Sequence, residues 1–118
     1  MEVRHVVYEG LNALEMQNQS VRIVILPEWG GKIASLYDKR RGREWLNINR
    51  SFSFRLPTYD AIYVRDFDIG GFDECFPNIG AGPYPNWPWL GAMLPDHGEA
   101  GLLPARGELS WYLSIFLG

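Results

Sequence analysis

Eight of the 13 glycines and six of the eight prolines of this chain fall between residues 70 and 107. That concentration excludes helix from about a third of the molecule. Proline breaks the hydrogen-bond ladder, and each interior glycine costs a helix about 1 kcal/mol. A loop-rich stretch of this length in a small domain either carries function or lacks order. Its aromatic content, with Trp87 and Trp89 around Pro88, argues against simple disorder.

The half before it reads as short strands. Residues 3–8 and 11–16 are broken by Gly10, and Gln17-Asn18-Gln19 is a polar joint of the hairpin kind. Residues 20–26 are rich in β-branched side chains and end at Pro27. Only Arg22 is charged among the alternating positions 22, 24 and 26, so both faces of this strand are expected to be covered at least in part. Pro27-Glu28-Trp29-Gly30-Gly31 punctuates the chain before a run at 32–37. The charged turn Asp38-Lys39-Arg40-Arg41-Gly42 then leads into Arg43-Glu44-Trp45-Leu46. The basic residues 39, 40, 41 and 43 read as a solvated turn rather than a phosphate patch, because Asp38 and Glu44 flank them. No stretch carries a sustained helical stripe, so the expected class is all-β, an antiparallel β-sandwich in a single domain over residues 1–118.

Composition narrows the class further. With 118 residues, 47% of them hydrophobic, the chain is one small globular domain. Eleven basic against 14 acidic residues give a net charge of −3, which offers no footprint for nucleic acid or an anionic membrane. Apolar runs stay far below the ~20 residues of a membrane helix, and no apolar core of the signal-peptide kind follows the first residues. The reading is a soluble, cytoplasmic protein. The single Cys75 allows no internal disulfide. Residues 109–117 form an apolar, strand-like run, which reads as a strand left without partners by truncation and prone to self-association. The other possibility is a central strand of a complete domain.

Reactive side chains crowd the loop-rich part. Asp66, Asp68, Asp73 and Glu74 are followed by Asp96-His97-Gly98-Glu99. Such a set either does acid/base work on a hydroxylated substrate or holds a cation through oxygens. The spacing matches no calcium loop, zinc motif, nucleophile elbow or phosphate loop, and no cofactor is implied. Cys75 reads as a small buried hydrophobe rather than a thiol nucleophile, and His5 as a surface or edge residue. His97 is either a site residue or a stabiliser of its loop, with Gly98 letting the backbone approach a ligand. Trp87 and Trp89 are either a platform for the apolar face of a sugar or caps on the core beneath the loop.

Two stretches together resemble a known superfamily. Residues 26–38 with Gly42-Arg43-Glu44-Trp45-Leu46 are similar to the opening of galactose mutarotase-like, aldose 1-epimerase-related proteins. Gly70-Gly71-Phe72-Asp73-Glu74-Cys75-Phe76-Pro77 and Leu94-Pro95-Asp96-His97-Gly98-Glu99 are similar to the segment where that superfamily has a Gly-Gly turn, a Phe-Pro and a His-Gly pair. The resemblance spans roughly residues 11–108. It implies a β-supersandwich that binds an aldose in an open cleft and exchanges its anomers by acid/base ring opening and reclosure.

By that resemblance His97 is the catalytic or substrate-contacting histidine, and the ligand is a small-molecule sugar. Asp73, Glu74, Glu99, Trp87 and Trp89 are the neighbouring candidates. Arg65, with Arg55 as its rival, is the candidate for a sugar-contacting arginine. The hexose-phosphate branch carries arginines where this chain has Asp68-Ile69 and Glu99-Ala100-Gly101, so a neutral sugar is expected. The superfamily's principal acid His and base Glu come later than residue 118, which makes this stretch an inactive portion by itself. The alternative expectation is a non-catalytic carbohydrate-binding β-sandwich module.

Overall fold

In the computed structural model, which describes residues 1–59 and 61–100, the first 44 residues form one antiparallel meander. Its strands are β1 (Glu2–Tyr8), β2 (Leu11–Gln17), β3 (Val21–Leu26), β4 (Lys32–Asp38) and β5 (Arg43–Glu44), hydrogen-bonded in chain order. The hairpin joints are the ones the turn residues dictate. Glu9 and Gly10 both take positive φ between β1 and β2. Asn18 Oδ1 accepts from the N–H groups of Ser20 and Val21. Asp38 Oδ1 does the same for Arg40 and Arg41, so the basic cluster is a solvated turn tied down by its own aspartate.

Pleating sends alternate side chains to opposite faces, and both faces are covered as the mixed pattern of β3 requires. One cluster gathers Ala13, Val24, Leu26, Trp29, Ala34, Tyr63, Phe67 and Ile69. Leu14, Met16 and Ile25 belong to a second cluster, with Val3, Ile23 and Ile33 packed against it. Ala34 is the extra residue of a β-bulge, since Val24 pairs Ser35 while Ile25 pairs Ile33. The bulge turns Ala34 into the first cluster.

Beyond β5 the regular ladder ends. A four-residue helix, α1 (Tyr63–Asp66), is too short for any periodic pattern to announce, and it delivers Tyr63 and Phe67 to the core. Residues 47–49 run beside 69–71, with the Gly71 N–H donating to the Asn47 carbonyl and that of Asn49 to the Ile69 carbonyl. A two-stranded ribbon, β6 (Gly82–Pro83) with β7 (Met93–Leu94), rises from the glycine- and proline-rich part. The chain is therefore all-β and antiparallel, sandwich-like and not closed into a barrel, as its sequence implies. Among the described residues no helix is long and apolar enough to cross a membrane. The apolar run 109–117 lies outside the described residues.

Candidate functional site

The site is assembled where one extended segment, residues 72–76, is stitched between the sheet and the His97 loop. At its start Phe72 bridges Ile33 of β4, through N–H···O bonds of 3.0 and 2.9 Å. At its end Phe76 bridges Gly98, and the Phe76 carbonyl accepts from Glu99 and Ala100. Glycine is required at each seam. A Cβ on Gly71 would press into the Ile33 carbonyl, and one on Gly98 would overlap the Phe76 backbone; both residues also take positive φ. The Gly-Gly and His-Gly pairs thus exist so that three backbone segments can meet.

Asp73 follows Phe72 in this segment and reaches back to the start of β4. Its Oδ2 takes the Lys32 ammonium at 2.6 Å and the Tyr63 hydroxyl at 3.0 Å. Lys32 has no exposed side-chain surface. It also donates to the Tyr63 hydroxyl at 3.2 Å and lies over the rings of Trp29 and Tyr63. Trp29 Nε1 donates to the same hydroxyl at 3.1 Å. Burial first, and then the charge of Asp73, pushes the Tyr63 phenol well above its ordinary range, so it remains a hydroxyl donor to Asp73. A buried ion pair is expensive to desolvate, and removing one partner leaves an uncompensated charge.

His97 completes the group from the other side. Its ring stands 5.7 Å from that of Tyr63, centroid to centroid. Its backbone is held at φ 63°, unusual for a residue with a Cβ, by the bond from its N–H to the Ile79 carbonyl at 2.7 Å. Nδ1 lies 3.1 Å from Asp96 Oδ2, near enough for an ion pair when the ring is protonated, but not aligned for a hydrogen bond. Among the described residues four buried side-chain nitrogen or oxygen atoms have no hydrogen-bond partner, and three of them, Asp73 Oδ1, Asn78 Oδ1 and His97 Nδ1, belong to this loop region. Each such atom costs about 1–3 kcal/mol.

The sequence candidates divide accordingly. Asp73 and His97 are brought together about Tyr63. Glu99 borders them and accepts from the Tyr59 hydroxyl. Glu74 is exposed next to Asp73. Arg65 points to solvent and is clamped bidentately on Asp66, while Arg55 lies over the Phe67 ring. Trp87 and Trp89 are 85% and 62% exposed, so they do not cap the core. Trp89 is braced edge-on by Tyr84. Cys75 is exposed, contrary to the buried position expected of it, as are Glu74 and Phe76 on either side of it. Its thiol is nonetheless pushed up, by partial desolvation and then by Asp73, Glu74 and Asp96, and is no activated nucleophile.

Trp29, Lys32 and Tyr63 are the members that sequence reasoning missed. Lysine is ordinarily a surface residue, and the Lys32–Asp73 partners are 41 positions apart. Among the described residues no group of three His, Cys, Asp or Glu side chains is placed to hold a metal ion.

No curated protein matches this chain. A family model does match, over residues 5–106, and takes in the sheet, the Gly-Gly seam and the His-Gly seam alike. The chain belongs to the family described as a domain of unknown function, DUF5107.

Proposed function

We propose that this domain binds a neutral aldose, in the manner of the galactose mutarotase-like proteins its motifs resemble, and contributes His97 and Asp73 to acid/base exchange of the anomers. The observation that carries the reading is the pairing of His97 Nδ1 and Asp73 Oδ1, both buried, both without a hydrogen-bond partner, on a shared tyrosine. Sugar hydroxyls donate and accept at once, and so suit a site that holds an imidazole nitrogen and a carboxylate oxygen in reserve. Mutarotation removes the proton of the anomeric hydroxyl and adds one to the ring oxygen. The ring opens, the bond to the anomeric carbon rotates, and the reverse transfers close it. Asp96 lies 3.1 Å from His97, and acidic Asp68 and Glu99 stand where the hexose-phosphate branch carries arginines, which disfavours phosphorylated sugars.

The second reading, binding without catalysis, is favoured by the exposure of Trp87 and Trp89, each able to stack on the apolar face of a sugar ring. Both readings are tested by NMR of the chain with freshly dissolved glucose and galactose. Binding is expected to shift resonances of the His97 loop, and His97→Ala to weaken it at least tenfold. Anomer exchange above buffer, lost in His97→Ala, selects the catalytic reading. Binding with no exchange, abolished by Trp87→Ala or Trp89→Ala and unaffected by His97→Ala, selects the module. Absence of any sugar-dependent change overturns both.

A further inference from the structure

One cleft of about 280 Å³ lies apart from the His97 cluster, between residues 77–80 and the β6–β7 ribbon. Asn78, Tyr84, Asn86 and Leu94 line it together with the backbone of Gly80 and Gly82. Its size is just under the range of about 300–1,000 Å³ that holds drug-sized ligands, and suits a single small ring. No charged side chain lines it, so its ligand is neutral. Prolines at 77, 83 and 85 stiffen the walls.

Asn78 supplies the second observation. Its Nδ2 donates to the carbonyls of Gly80 at 2.7 Å and Pro95 at 2.9 Å, which settles the orientation of the amide. Oδ1 is then left buried with no donor. Tyr84, held edge-on against Trp89 with ring centroids 5.8 Å apart, adds an aromatic wall. An orphaned amide acceptor, a second amide at Asn86 and an aromatic face without any charge form the chemistry that recognises a pyranose: hydroxyls at its rim, C–H groups on its face.

We propose that this cleft is a carbohydrate subsite, separate from the His97 cluster, which seats one ring of a neutral glycan with a hydroxyl supplying the donor that Asn78 lacks. The subsite rests on the sugar reading given above, and the chain between two of its lining residues, Asn78 and Gly80, is tied to the His97 loop. The His97 N–H is bonded to the Ile79 carbonyl, one residue beyond Asn78.

The test is a titration of the ¹⁵N-labelled chain with glucose, with cellobiose and with a proline-rich peptide. Cellobiose is expected to shift the side-chain amides of Asn78 and Asn86. Tyr84→Leu, which keeps the backbone bonds of the ribbon, is expected to weaken those shifts about tenfold. Asn86→Ala, at an exposed position, is a second variant that spares the fold. Shifts at the His97 loop are expected to persist in both. Sugar shifts confined to the His97 loop overturn the subsite and leave the proposed function standing. Shifts at Asn78 with none at His97 keep the subsite and overturn the His97 reading. A response to the peptide and not to the sugars identifies a polyproline groove and ends the proposal, as does the absence of any response.

Discussion

The five-stranded sheet and the segment from residue 70 to 100 are built on opposite principles. In the sheet the strands are joined by ladders in regular register, and the inner strands bury their side chains in two clusters. Such a region is stabilised by apolar area, about 25 cal/mol per Å² removed from water, and by ladder hydrogen bonds. In the loop segment Phe76, Ile79, Trp87, Trp89, Leu90 and Met93 all remain exposed. That segment is held by close backbone approaches at glycine and by one buried ion pair. The difference teaches where function is placed: the sheet supplies a rigid edge at β4, and the loop leaves polar atoms and aromatic faces uncommitted against it.

The sharpest way to break that contrast is at Lys32, which belongs to the sheet by position and to the loop by contact. Replacing it with Met keeps a buried chain of similar bulk and removes the only cation bonded to Asp73 among the described residues. Leaving one partner of a buried pair uncompensated is expected to destabilise the domain by about 3–5 kcal/mol in urea denaturation. Adding Asp73→Asn to Lys32→Met is expected to recover much of that loss, because the stranded charge is gone while an acceptor for Tyr63 remains. A single-variant loss below about 1 kcal/mol, within the range of exposed pairs, would show that the pair does not hold the loop.

Glycine gives the next comparison, within the loop itself. Gly98 and Gly91 have similar φ, at 75° and 85°. A Cβ on Gly98 meets the Phe76 backbone, whereas one on Gly91 meets nothing within 4 Å. Gly91→Ala therefore carries only the left-handed strain of about 1–2 kcal/mol. Gly98→Ala must also part the seam between residues 76 and 98. It is expected to cost more than Gly91→Ala, and to speed amide exchange at Glu99 and Ala100 while leaving β2 and β3 protected. Equal losses for the two variants would remove the seam from the account.

What could be read from the sequence follows the same division. The strands were legible because β-branched runs and turn residues are local signals, and the loop was legible from its glycines and prolines. The two motif pairs, Gly70-Gly71 and His97-Gly98, proved to be the two places where the 72–76 segment is clasped. Lys32, Tyr63 and Trp29 were not legible, since their roles depend on which strands the loop returns to, and a lysine after Gly-Gly carries no mark of burial. The exposure of Cys75 was likewise hidden, since Glu74, Cys75 and Phe76 are exposed in succession in a segment outside any strand. The ion pair of Arg65 with its neighbour Asp66 is likewise a side-chain geometry that no sequence pattern marks.

The smallest expected effect lies further along β4, where it pairs with β5, and it separates local from long-range electrostatics. Desolvation pushes the Glu44 carboxyl up, but hydrogen bonds from the Ser35 hydroxyl and from the N–H groups of Leu46, Leu36 and Trp45 outweigh it, so the group titrates below its ordinary value of 4.5. A carboxyl held lower in the folded than in the unfolded chain adds stability above its unfolded value, and that contribution is lost as the pH falls through the folded one. Wild-type protein should therefore lose part of its stability as the pH drops below 4.5, and Glu44→Gln should flatten that decline while leaving the stability near pH 7 slightly lower. Because Glu44 anchors only β4 to β5, amide exchange at Leu36 and Leu46 should change and exchange at Phe72 should not. Acid loosening that begins at Phe72 instead would place the sensitive carboxylate in the loop, on the Asp73 side of the molecule.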